Sequence, residues 1–152
     1  MPERVIAALA ARGESLSTAE SLTGGLLAAA LTSVPGASQV YAGGVVAYQT
    51  PMKAALAGVP PQILDAGGPV CEATALALAA GIRARTGSTW ALATTGVAGP
   101  DPQDGHEVGE VWIALAGPSG ATAMRHDFAG DRQAIRTQTV AAALAALCDA
   151  LP

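Results

Sequence analysis

The chain has 152 residues, 12 acidic against 8 basic side chains, a net charge of −4, and 51% apolar but only 3% aromatic residues. That length suits one domain spanning 1–152 around a single core, and the charge balance excludes the broad basic face of a general nucleic-acid binder while leaving room for a local cationic pocket. No apolar run reaches the ~18 residues of a membrane span, and the acidic start Met1-Pro2-Glu3-Arg4 is unlike a secretory signal, so a cytoplasmic protein without a membrane partner is expected.

In chain order, Val5, Ile6 and Leu9 recur at helical spacing over residues 2–12, with Gly13 as the stop. Residues 15–18 form a short strand that leads into Thr18-Ala19-Glu20-Ser21-Leu22-Thr23-Gly24-Gly25, followed by a Leu/Ala helix over 25–32. The octet has two readings. Ser17 and Glu20 have the spacing of a capping box; equally, a hydroxyl at a strand-to-helix turn sits among backbone N–H groups suited to a phosphate or an oxyanion.

Val34-Pro35-Gly36-Ala37-Ser38 is a turn, and residues 40–48 form a β-rich run interrupted by Gly43-Gly44, as at a bulge or a close backbone approach. Thr50 reads as an N-cap with Pro51 at the first helical position, opening a short helix to about Leu56. A Pro/Gly-marked connection over 59–68 holds a turn or two of helix, and a firm helix spans 72–85 with Gly87 beyond it. Residues 89–95 form a buried strand and 101–107 a polar loop. Strands over 108–116 and 121–128 flank the hairpin signal Gly117-Pro118-Ser119-Gly120, and Gly130-Asp131-Arg132 opens the last helix. The alternation predicts a single three-layer α/β/α domain with a mixed sheet.

Familiar sites are missing from the sequence: there is no phosphate loop ending in Gly-Lys-Ser/Thr and no dinucleotide fingerprint. His106 and His126 lack ligand spacing and read as ordinary surface residues; Cys71 and Cys148 read as free, mostly buried thiols, and no metal site is expected. The informative count is lysine. Seven of the eight basic residues are arginine, so Lys53 is the one aliphatic amine able to lose its proton and act as a base. In the first turn of its helix the dipole disfavours an ammonium. The competing reading is a solvated surface lysine. Tyr48, at the preceding strand end, faces the same region.

Thr18–Gly25, Val34–Ser38, Gly43–Tyr48, Lys53, Thr95-Gly96-Val97-Ala98-Gly99-Pro100, Val108-Gly109-Glu110-Val111-Trp112 and Gly130-Asp131-Arg132 together resemble the CinA C-terminal domain family over nearly the whole chain. Characterised members of that family are nicotinamide-nucleotide amidohydrolases. The resemblance implies a nucleophile at Ser21, a partner base at Lys53 and a third catalytic member at Tyr48, with Thr95 and Arg132 associated with the site. It also implies a small nucleotide substrate, nicotinamide mononucleotide, deamidated through a nicotinoyl-serine ester with no metal or organic cofactor. Two departures stand out: Leu22 replaces the usual cysteine, and 101–107 lacks the family's glycines and lysine, which puts substrate contacts from that loop in doubt.

Further substrate contacts are expected from the backbone around Thr23 and Gly24, from Gly96, and from Arg132 with Arg136 on a 5′-phosphate. Arg132 has an alternative as a surface ion pair with Asp131 or Asp127, Thr95 as a strand-end cap, and Glu20 as a structural carboxylate. A catalytically silent nucleotide-binding module, or an amidase for another small amide, remains the alternative function. With 36 alanines and only 13% charged residues, the elements must pack closely on small side chains, and a weakly charged surface suggests a homo-oligomer.

Overall fold

In the computed structural model, which describes residues 1–151, the strands are β1 (Leu16–Glu20), β2 (Tyr41–Val46), β3 (Trp90–Gly96), β4 (Glu110–Gly117) and β5 (Gly120–Asp127). The helices are α1 (Pro2–Arg12), α2 (Leu26–Thr32), α3 (Thr50–Ala57), α4 (Pro61–Gly67), α5 (Glu72–Thr86) and α6 (Arg132–Ala150), with one 3-10 turn at Ala37–Gln39. The sheet order is β2-β1-β3-β4-β5. β1 is parallel to both β2 and β3, whereas β3–β4 and β4–β5 are antiparallel, so the sheet is mixed as expected.

Each sheet face has its own core. Leu16, Leu92, Val111 and Ile113 join Val5, Leu9, Leu27, Leu31, Ile135, Leu144 and Leu147, which places α1, α2 and α6 on one side. On the other side, Ala19, Ala91, Ala93, Ala114 and Ala116 meet Ala57, Ala75, Leu78, Ala79 and Ile82 of α3 and α5. Alanine faces on both partners let α5 lie close to the sheet. The scarcity of aromatic residues therefore has a structural counterpart in this thin second layer.

Local sequence accounts for most of the boundaries. Gly13, Gly58 and Gly87 stop α1, α3 and α5 in the left-handed conformation. Gly117 pairs with Gly120 across a two-residue turn, the hairpin anticipated from Gly-Pro-Ser-Gly. The register between β1 and β2 slips after Leu16, and a Cβ on Gly44 would collide with Thr18 Oγ1 and lie 2.6 Å from the Tyr41 hydroxyl. The bulge and the close approach anticipated for this strand are both present.

Three local expectations are corrected. Ser17 makes no capping box; its hydroxyl lies 2.7 Å from that of Ser88 inside the sheet. Glu20 alone caps α2, accepting from the N–H groups of Leu27 at 2.8 Å and Ala28 at 3.0 Å. The physical reason is that β1 continues to Glu20 and α2 begins only at Leu26, so the intervening residues form a turn and the first free N–H groups lie seven residues downstream. Gln49, rather than Thr50, occupies the N-cap of α3 and makes no side-chain cap. The cysteines are free but only half-buried.

Candidate active site

Because β1, β2 and β3 run parallel, their carboxyl ends share one edge. The chain leaves β1 toward β2 but leaves the adjacent β3 toward β4, so the two connections diverge and open a crevice there, the usual ligand position in such sheets. A cleft of about 480 Å³ lies at this edge, a volume suited to a small ligand. Ser21 follows β1, Tyr48 to Pro51 and Lys53 follow β2, Thr95 to Gly99 end β3 and continue past it, and Arg132 starts α6; all contribute to its walls.

At the floor, Lys53 is 1% exposed and Ser21 8%. Lys53 Nζ lies 2.9 Å from Ser21 Oγ, and it donates to the carbonyls of Ala47 at 2.9 Å and Tyr48 at 3.3 Å. No carboxylate forms an ion pair with it among the described residues. Burial without a counter-charge lowers its pKa from 10.5 to about 8. The solvated-lysine reading is thereby excluded. The expected lowering is present, but its cause is desolvation.

Other sequence-derived candidates divide between cleft and support. Tyr48 is 52% exposed and its hydroxyl accepts from Arg132 at 2.6 Å; what touches the amine is its backbone carbonyl. Arg132 also donates to the Gly99 carbonyl at 2.8 Å, which excludes the anticipated ion pair with Asp131 or Asp127 and leaves its charge facing the cleft. Arg125 pairs with Asp127 instead, at 2.9 Å. Thr95 donates to the Pro69 carbonyl at 2.5 Å, tying β3 to the segment ahead of α5. Gly96 lines the cleft where any Cβ would strike the Glu110 carbonyl and Val111.

Thr23, Gly24 and Arg136 lie outside the cleft lining. The Thr23 hydroxyl is buried against that of Thr94 at 2.8 Å. Gly24 and Gly25 have φ values of 56° and 99°, which make a sharp turn that glycine tolerates. Arg136 donates to the carbonyls of Leu22 at 3.0 Å and Thr23 at 3.1 Å. Conversely, sequence reasoning passed over Gln49, Thr50, Pro69 and Val70 as cleft residues, and doubted the loop that brings Asp101 and Gln103 into the wall. That loop turns tightly, with paired backbone bonds between Gln103 and His106 around Asp104-Gly105. An Asp-Gly pair flanked by polar residues was the available signal.

His106 and His126 are each half-buried rather than freely exposed. His106 Nδ1 lies 3.0 Å from Glu110, and His126 stacks on Phe128 with centroids 5.0 Å apart. Among the described residues no group of three or more His, Cys, Asp or Glu is placed to hold a metal ion, and no helix is long and apolar enough to cross a membrane.

A three-layer α/β/α domain whose parallel strands deliver a serine and a buried lysine into one cleft is the class that this geometry defines. The model of the CinA C-terminal domain matches residues 1–151. A CinA-like protein of Frankia casuarinae is 51% identical over 140 residues, which are 92% of this chain and 32% of that protein. One from Anaeromyxobacter sp. is 52% identical over 137 residues, 90% of this chain and 33% of the relative. The solved structure of a CinA superfamily protein from Klebsiella pneumoniae 700603 matches with a TM-score of 0.95 at 38% identity, covering 99% of this chain and 94% of that one. The chain belongs to the CinA C-terminal domain family, and it spans about a third of the length of these curated relatives.

Proposed function

We propose that this domain hydrolyses the carboxamide of nicotinamide mononucleotide, releasing ammonia and nicotinate mononucleotide through an acyl-enzyme on Ser21. The observation that carries the reading is the 2.9 Å contact between Ser21 Oγ and a lysine amine that burial holds at a pKa of about 8. A serine hydroxyl is a weak nucleophile and requires an adjacent base. Three oxygens surround Nζ, and once the amine is neutral its two N–H bonds can serve the Ala47 and Tyr48 carbonyls while its lone pair takes the Ser21 hydroxyl proton.

In the first half-reaction, Ser21 Oγ attacks the amide carbon as its proton passes to Lys53. The resulting ammonium returns that proton to the departing nitrogen, and the C–N bond breaks to give ammonia and a nicotinoyl ester. In the second, Lys53 takes a proton from water as the hydroxide oxygen bonds to the ester carbon, and Ser21 leaves with the proton restored. Gly24 N–H already donates to the Ser21 carbonyl at 3.0 Å, so the N–H of cleft-lining Leu22 is the better candidate for the oxyanion. Arg132, held by Gly99 and Tyr48, supplies positive charge for the 5′-phosphate.

The test is ammonia release from nicotinamide mononucleotide by the purified domain. Ser21→Ala is expected to abolish turnover and Lys53→Met to lower kcat by about 10²- to 10⁴-fold, the range of general acid–base contributions. Full activity in both variants would falsify the serine–lysine assignment. Turnover of simple amides lacking the ribose phosphate at equal kcat/KM would remove the nucleotide from the proposal.

A further inference from the structure

We infer that Arg136 is a positioning residue that sets and polarises the oxyanion-binding N–H of Leu22 without itself touching the substrate. The inference rests on the acyl-transfer reading above. Arg136 lies one helical turn beyond Arg132 on α6, and its guanidinium bridges two successive carbonyls of the turn after the nucleophile: Nε to Leu22 at 3.0 Å and Nη2 to Thr23 at 3.1 Å. Its remaining contact is Nη1 to Gln133 Oε1 at 3.4 Å, and no carboxylate pairs with it among the described residues. Its charge is therefore directed at backbone.

That charge stands at the head of a directed chain. The Thr23 carbonyl and the Gly24 N–H belong to one planar trans peptide and point opposite ways. Arg136 donates to the carbonyl end alongside the Leu26 N–H, which lies at 3.0 Å, and the N–H end donates to the Ser21 carbonyl at 3.0 Å. The Ser21 carbonyl in turn shares its peptide with the Leu22 N–H, which has no acceptor among the described residues and belongs to a residue lining the cleft beside Ser21. The sequence of donors runs without reversal from guanidinium through two peptide units to the N–H that adjoins the nucleophile.

Hydrogen bonds in series polarise one another, so a cation at the head makes the last N–H a stronger donor as well as fixing its direction. The second contact, to the Leu22 carbonyl, holds the intervening peptide and prevents the turn from rotating. Gly24 leaves room for this arrangement, since a Cβ there would stand 3.3 Å from Arg136 Nη2.

The experiment compares Arg136→Met and Arg136→Lys with wild type in two assays, ammonia release and the rate at which a small fluorophosphonate labels Ser21. In the second reaction an O–P bond forms at Ser21, fluoride departs, the serine proton passes to Lys53, and the phosphoryl oxygen occupies the oxyanion position. Loss of an oxyanion donor outright costs about 10²- to 10³-fold. Misdirection of that donor in Arg136→Met is expected to lower kcat and the labelling rate together by about 10- to 100-fold, with KM within about threefold of wild type.

Arg136→Lys, which keeps the charge and one donor, should recover part of both rates. It also keeps the inference testable if the methionine variant folds poorly. Thermal melting of each variant separates positioning from a general loss of folded protein, because the residual folded fraction would then label at the wild-type rate. Labelling of folded Arg136→Met at the wild-type rate overturns the inference. Wild-type protein that labels at Ser21 yet releases no ammonia refutes the amide reading alone and leaves the Arg136 comparison intact.

Discussion

Lys53 sits where a charged amine is disfavoured, and this has consequences for both rate and stability. With its folded pKa at about 8 against 10.5 for a free lysine, the native state binds fewer protons than the unfolded chain between those values. Stability therefore rises with pH across that window, and below pH 8 the native state carries the full cost of a buried ammonium, roughly 3 kcal/mol at 1.36 kcal/mol per pKa unit. Lys53→Met removes this dependence. Urea unfolding of both proteins from pH 7 to 10.5 is expected to show the wild type gaining on the variant by up to roughly 3 kcal/mol. A constant difference across that range would show that Lys53 is not desolvated. In the same wild-type protein, kcat/KM should climb with pH toward about 8, as the neutral amine accumulates. The sequence made this residue visible because it is the only lysine. Arg136 was visible as a cation but its contacts were not, since its backbone partners Leu22 and Thr23 are 114 and 113 residues away.

The elements that carry these side chains are held at distances set by small residues. α5 crosses α3 at Gly81, where an added Cβ would fall on the Ala57 carbonyl. α3 carries Lys53, so this crossing fixes how far the amine stands from β1. Glycine inside a helix is ordinarily about 1 kcal/mol worse than alanine. Gly81→Ala is expected to reverse that sign, because the obstruction is backbone and cannot rotate away. The measurable outcome is a lower melting temperature with a reduced kcat, as α3 is displaced; a stabilised and fully active variant would show that α3 and α5 are not in contact at this point. Periodicity and punctuation exposed α5 itself, and the parallel and hairpin strands, because those signals are local. The close crossing was not legible, since a glycine among alanines looks the same whether it faces solvent or a neighbouring carbonyl. The supposed capping box failed for a related reason: Ser17 and Glu20 belong to a strand, where alternate side chains face opposite sides, and only Glu20 reaches α2.

At the scale of the molecule, the two core layers share one sheet, and the site at its edge requires both. Ser21 leaves β1 toward α2 on one face, while Lys53 rises from α3 on the other. β1, β3 and β4 supply side chains to both layers: Leu16, Leu92 and Ile113 to one, Ala19, Ala91, Ala93 and Ala114 to the other. Removing either helix layer would expose the central strands on that side, so the layers should not unfold separately. The two tryptophans allow this to be measured. Trp90 belongs to the core beneath α1, α2 and α6, whereas Trp112 packs against the alanine-lined core under α5. In Trp90→Phe and Trp112→Phe variants, the remaining indole reports one layer while circular dichroism reports the whole chain. In each variant the fluorescence and circular dichroism urea midpoints are expected to coincide, as for a two-state domain of this size. An earlier fluorescence midpoint in one variant alone would mean that its layer detaches first, and that Ser21 and Lys53 can separate while part of the sheet remains folded.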